Sequence, residues 1–266
     1  MIYRLPAQVL CATMGAMLSP FLVYAIVSVT VIVTSFISGI LGMAGGMILM
    51  GVLLALMPVP AAMMLHGSTQ MAANGWRAWL WRSAIDWRVF RGTAYGALAV
   101  LAAFSVLQLV ASRPVVYLIL GLTPFVSFVL PANLKLNVDR RGHPFACGTV
   151  CTVLSLLSGV SGPLLDVFFL SSKLDRRGVV ATKAASQTCA HLVKIVYFGA
   201  LVTAGRGSLE WWFALPMVAL AMAGTTLSRK VLESMTDRNF RLWTRWTVSV
   251  IGVFYLGNGL WALART

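Results

Sequence analysis

Apolar residues run through most of the chain in long stretches, broken by glycine, proline and short basic segments. Ten apolar elements can be read, at roughly 20–41, 46–60, 61–81, 93–112, 114–130, 144–161, 163–172, 179–204, 211–228 and 242–264. A run near ~20 residues is long enough to cross a ~30 Å hydrocarbon core as a helix. Two elements are shorter. The seventh, PLLDVFFLSS, would reach only about 15 Å as a helix, and the second ends at MPVP. The pattern predicts an all-α, polytopic membrane helix bundle of about 8–10 apolar elements, with one integral domain over 1–266. Residues 1–19 carry one arginine and a weakly apolar stretch without a convincing cleavage site, so no cleavable leader is expected.

The same pattern is written twice. SGILGMAGG (Ser38 to Gly46) resembles SGVSGP (Ser158 to Pro163) at an offset of 120 residues. After a three-residue deletion the offset becomes 117, and two polar stripes then align. His66 falls on Lys183, Gln70 on Gln187, Asn74 on His191 and Arg77 on Lys194. Repeat one covers about 20–130 and repeat two about 144–264. Each half holds five elements, an odd number, so the second is inverted relative to the first if every element crosses. Inverted repeats with a site near the membrane midplane are a common transporter architecture. If the short elements are re-entrant, the number of crossings falls.

Composition agrees with a membrane protein: 59% of the 266 residues are hydrophobic and 11% charged, against about 25% charged in soluble domains. The net charge of +14 would suit a nucleic-acid partner, but its distribution does not. Most of the cations fall in four short segments: Arg77 to Arg91, Lys135 to Arg141, Lys173 to Arg177 and Arg229 to Arg245. Clustering of this kind follows the positive-inside rule and places those loops in the cytoplasm. Trp76, Trp79, Trp81, Trp211, Trp212, Trp243 and Trp246 lie near helix ends, where an aromatic belt belongs. Cys11, Cys147, Cys151 and Cys189 read as inert buried thiols. No cofactor and no metal are expected.

Lys183, Gln187, His191 and Lys194 are spaced four, four and three apart and share one helical face. His66, Gln70, Asn74 and Arg77 repeat the spacing. Ionisable groups within a bilayer cost at least ~2.5–3.5 kcal/mol each at a helix centre, so they face a bundle interior or a water-filled cavity. Gln and Asn can also serve only as helix–helix glue, and Arg77 and Lys194 could snorkel toward headgroups. As a set, two cation-bearing rows without an acid on either helix predict an electropositive cavity for an anion. GILGMAGG places four glycines in eight residues, which disfavours continuous helix. A break there frees backbone N–H groups at a helix start to bind an anion. Gly42, Gly45 and Gly46 would serve in the first half, and Ser158, Gly159, Ser161 and Gly162 in the second. Asp166 has no counterpart in the first half, where Leu49 stands. It either pairs with Lys194, Lys183 or His191 or carries a coupling proton.

These residues resemble the TauE/SafE-type sulfite exporter permeases, over roughly residues 24–262. The strongest carriers are SGILGMAGGMILMGVLL and SGVSGPLLDVFF followed by RRGVVATKAASQ. Gly42, Gly45 and Gly46 match the family's glycine cluster. In the second half Pro163 stands where more glycine is usual, and Thr182-Lys183 stands where a Thr-Ser pair is common. The resemblance implies a multipass inner-membrane transporter of small anions such as sulfite, sulfonates and related sulfur compounds. Partners would be the anion and the lipid bilayer, with no nucleic acid; the oligomeric state is unknown from sequence. The alternatives are a membrane-embedded enzyme and a non-transporting receptor or assembly protein. Neither an H-E-x-x-H pair nor a G-x-S-x-G elbow is present, and a loop pairing of His143 with Asp139 offers little catalytic chemistry.

Overall fold

The computed structural model describes residues 18–41, 43–126, 136–206, 211–234 and 237–265. Gly42, Lys135, Cys11 and Glu210 lie outside the described residues. Those described form helices α1 (Pro20–Leu41), α2 (Met43–Leu56), α3 (Val59–Leu80), α4 (Trp87–Leu107), α5 (Arg113–Leu122), α6 (His143–Ser158), α7 (Gly162–Phe169), α8 (Arg176–Leu201), α9 (Trp211–Leu227), α10 (Arg229–Ser234) and α11 (Asp237–Leu263). Short 3₁₀ turns follow α3 and α5, and one π turn follows α8. No strand occurs among the described residues, and the chain is an all-α membrane helix bundle. Four segments are long and apolar enough to span a membrane: Pro20–Leu41, Trp87–Leu107, Arg176–Ala204 and Leu242–Leu263.

Local chemistry sets the boundaries. Asp86 accepts from the backbone N–H groups of Arg88 and Val89, which starts α4 at Trp87 rather than near residue 93. Asp175 does the same for Gly178, starting α8 at Arg176 rather than near 179. Both are N-caps that satisfy orphan helix donors. The α2 helix begins at Met43, earlier than the sequence pattern suggests, and α7 is only eight residues long. One helix, α10, was not legible as an apolar element because it lies in a basic connection.

Four helix pairs build the bundle, and glycine makes each of them possible. In the α1–α9 pair, Tyr24 meets Phe213 edge-on, Ser28 donates to the Met217 sulfur at 3.8 Å, and Gly39 lies under Ser228. The two helices therefore run parallel. In the α4–α6 pair, Gly92 packs on Pro144 and Gly96 on Thr149, again parallel. In the α3–α8 pair, His66 meets Lys194 while Gly75 meets Thr188, so these run antiparallel. The α5–α11 pair is antiparallel too, with Leu118 against Gly259 and Phe125 against Gly252. Lipid tails are as apolar as the helices, so association rests on close van der Waals packing, which small residues permit.

The short α2 is covered on several sides. An added Cβ at Gly45 would overlap the Thr34 carbonyl of α1, and the Tyr255 hydroxyl of α11 donates to the Met47 carbonyl at 2.8 Å. Three basic segments meet at one end of the bundle. Arg88 reaches Asp139 at 3.9 Å, Asp139 accepts from the Lys173 backbone N–H, and Arg177 stacks over Trp81. Trp79, Trp81, Trp212, Trp243 and Trp246 are exposed on the outer surface.

An added Cβ at Gly148 would collide with the backbone of Thr93, and backbone cannot step aside as a side chain can. Gly148→Val should therefore destabilise the α4–α6 pair by about 3 kcal/mol, the upper end of overpacking costs. Thermal unfolding of the detergent-purified protein checks this; an unchanged transition temperature would contradict the pairing.

Candidate functional site

Among the largest fully buried side chains of the described residues is that of Lys194, on α8. Its Nζ donates to the Gly159 carbonyl at 2.9 Å and to His66 Nδ1 at 2.8 Å. His66 is also buried, and its Nε2 lies 3.0 Å from the Gly46 carbonyl. A carbonyl only accepts, so Nε2 carries the hydrogen and Nδ1 is the acceptor for Lys194. One chain of hydrogen bonds thus crosses from the α6–α7 turn, through Lys194 and His66, to the first turn of α2.

The turn exists because of Gly159. It ends α6 with φ +86°, and its N–H returns to the Ser155 carbonyl. This left-handed conformation suits glycine, and an added Cβ would also lie 2.7 Å from the Met50 sulfur. Ser161 and Pro163 then start α7. The carbonyl of Gly159 is thereby turned out of the helix ladder and left free for Lys194. The first half has no equivalent turn among the described residues: α1 reaches Leu41 and α2 starts at Met43.

Around this chain lie two buried nitrogens without hydrogen-bond partners, Gln70 Nε2 and His191 Nδ1. Gln70 sits one turn after His66 and, like it, borders Gly46; an added Cβ there would be 3.4 Å from Gln70 Oε1 and 3.6 Å from His66 Nε2. The His191 ring lies edge-on to His66, centroids 5.9 Å apart. Unpaired buried donors and acceptors are rare in native proteins, and each calls for an explanation.

The rest of the candidate set divides. Gly45 is spent on packing against α1. Asn74 donates to the Gln70 carbonyl at 2.9 Å, and Arg77 donates to Asn74 at 3.5 Å, so both are tied within α3. The Ser158 hydroxyl donates to its own helix at the Leu154 carbonyl. Gly162 packs against Met43 of α2. Ser161 and Gln187 line a small cavity of about 10 Å³ together with Thr93, Thr152 and Ser186, close to the space one water needs. Lys183 pairs with Asp166, both partly exposed, and lies eleven residues from Lys194, roughly 16 Å along the helix. Of the partners open to Asp166 from sequence, the structure places Lys183 beside it. Gly42 lies outside the described residues. His143 Nδ1 accepts from the Asn137 backbone N–H at 3.2 Å, a loop contact like that of Asp139.

Several buried polar residues escaped the sequence pattern. Ser35 and Ser155 are buried with unpaired hydroxyls, and Thr93 shares a 2.9 Å hydrogen bond with Ser186. A signal for the first two was present: SFISG (Ser35 to Gly39) and SLLSG (Ser155 to Gly159) match at the offset of 120.

The Asp166–Lys183 pair generates a test. Asp166→Asn should leave Lys183 with an unneutralised charge, which Lys183→Met removes. The double variant should regain stability in thermal unfolding, with a coupling of about 1 kcal/mol or less for a partly exposed pair. Recovery by Lys194→Met in place of Lys183→Met would contradict the observed pairing.

The family described as sulfite exporter TauE/SafE matches residues 26–255 of the chain. No curated protein and no solved structure matches it.

Proposed function

We propose that this chain, which belongs to the sulfite exporter TauE/SafE family, is a multipass inner-membrane permease that moves a small anion through a site between two inverted repeats. The family is one of membrane transporters, and the apolar helices suit that role. Sulfite, sulfonates and related sulfur oxyanions are the substrates that this reading favours.

The helix pairing supports the inverted arrangement. If the halves are exchanged, α1–α9 becomes α6–α4, while α3–α8 and α5–α11 map onto themselves. The two self-mapping pairs are antiparallel. Equivalent helices that run antiparallel require a two-fold axis across them, and for spanning helices that axis lies in the membrane plane.

One observation carries the anion reading. A fully buried lysine stands at the meeting point of the halves beside unpaired Gln70 Nε2 and His191, with no carboxylate against it among the described ion pairs. A small oxyanion would supply the missing acceptors and the missing negative charge. Gln187 and Ser161, with Thr93, Thr152 and Ser186, line the small cavity that Ala190 borders, one helical turn before Lys194.

Gln70→Leu separates function from stability. A glutamine with an unpaired buried donor adds little to folding, and removing an unsatisfied group can be neutral or stabilising. The variant should unfold at or above the parent temperature. Its flux of ³⁵S-sulfite or ³⁵S-methanesulfonate in proteoliposomes should fall at least about tenfold, the effect of ~1.4 kcal/mol. Parent-like flux with lowered stability would make Gln70 a packing residue and remove it from the site. Absence of protein-dependent flux in the parent, across a panel of sulfur oxyanions, would sink the transport reading.

A further inference from the structure

Lys194 has two hydrogen-bond acceptors, the Gly159 carbonyl and His66 Nδ1. A neutral amine has two N–H groups and an ammonium has three. The neutral amine therefore satisfies both acceptors, and protonation creates a third N–H for which the described residues provide none. Burying an ammonium without an anionic partner is strongly unfavourable. The ion pairs among the described residues are those of Arg88 with Asp86 and Asp139 and of Lys183 with Asp166, none of which involves Lys194.

We infer that Lys194 is the coupling site for a proton: it is charged when the anion is bound and neutral when the site is empty, so one proton crosses with each anion. The inference rests on the transport reading and adds the coupling ion to it. The proton is taken up at Nζ from the same side as the anion and leaves to water on the other; no bond other than N–H forms or breaks. Movement of a monoanion with one proton is electroneutral. Its direction follows the product of the two gradients, and it runs outward when the cytoplasmic anion is in sufficient excess.

The surroundings leave few other carriers for this proton. His66 faces Lys194 from α3, and His191 faces His66 from α8 itself. The α2 helix contributes the Gly46 carbonyl through His66, and α6 contributes that of Gly159. Cys147 and Cys151 of α6 line the small cavity beside Ala190. Tyr197, one turn beyond Lys194, is tied to the Leu109 carbonyl at 2.6 Å. Arg88 and Arg91 lie in the first turns of α4, and α9 has no titratable side chain over 211–227. His66 is a positioning residue here: its Nδ1 holds the amine, and Gly46 fixes its tautomer.

The test uses the full chain in vesicles of phosphatidylethanolamine and phosphatidylglycerol. The probe is ³⁵S-methanesulfonate, a monoanion throughout, or ³⁵S-sulfite if only sulfite is carried. With the membrane potential clamped at zero, an exterior more acidic by one pH unit should drive about tenfold accumulation of the monoanion. A potassium diffusion potential at equal pH should drive none. Lys194→Met should lose the pH-driven accumulation, and the wild-type stoichiometry decides whether a proton is coupled at all even if that variant does not fold. Accumulation that follows voltage and ignores the pH gradient overturns the coupling while leaving transport intact. A pH-driven accumulation that persists in Lys194→Met but vanishes in Asp166→Asn overturns the assignment to Lys194. No exchange of labelled for unlabelled anion in the parent defeats both readings.

Discussion

One fully buried side-chain nitrogen ties elements of both halves of this bundle together. Lys194 Nζ is held between the carbonyl of the turn after α6 and the imidazole of α3, and that imidazole is held by α2. Within a bilayer no water can compensate a polar group that loses its partner, so each must be satisfied inside the protein. The chain of hydrogen bonds therefore sets the relative height of α2, α3, α8 and the Gly159 turn. Moving any one of them breaks a bond that lipid cannot replace. The same restriction makes the unpaired nitrogens of Gln70 and His191 informative, because nothing outside the protein would pay for leaving them empty.

Close packing at glycine supplies the second constraint. Gly39 and Gly224 let α1 approach α9, Gly92, Gly96 and Gly148 let α4 approach α6, and Gly121, Gly252 and Gly259 do the same for α5 and α11. At several of these positions a Cβ would collide with backbone, so the helices cannot separate by a rotamer change alone. The α3–α8 pair meets differently. Gly67 stands against Ile195 and Lys194, and Gly75 against Thr188, where the nearest atoms belong mostly to side chains.

The two glycine breaks do different work. The second is a true turn, closed by left-handed Gly159 and restarted at Ser161 and Pro163. It presents a carbonyl to Lys194. Around the first, Gly45 packs on α1 and Gly46 accepts from His66 within α2. Charge is likewise graded with depth. Lys183 and Asp166 neutralise each other where both are partly exposed, whereas Lys194 is fully buried with no acid paired to it among the described residues.

Periodicity and composition in the chain alone were enough for an all-α membrane bundle and for the approximate place of most elements, while the family was legible only through the resemblance of the two glycine-break motifs. They also marked the two stripes, since a hydrophobic helix that carries Lys, Gln and His at one-turn spacing must turn that face inward. Helix ends were less legible, because Asp86 and Asp175 act as caps outside the apolar runs. Which stripe residues meet was not legible at all. Alignment put His66 opposite Lys183 and Arg77 opposite Lys194 as equivalents, yet antiparallel packing of α3 on α8 brings His66 to Lys194. Equivalence in a repeat is a relation along the sequence. Contact depends on the direction and crossing point of two helices, and those are decided only when the glycine faces and buried polar groups of the whole bundle are satisfied together.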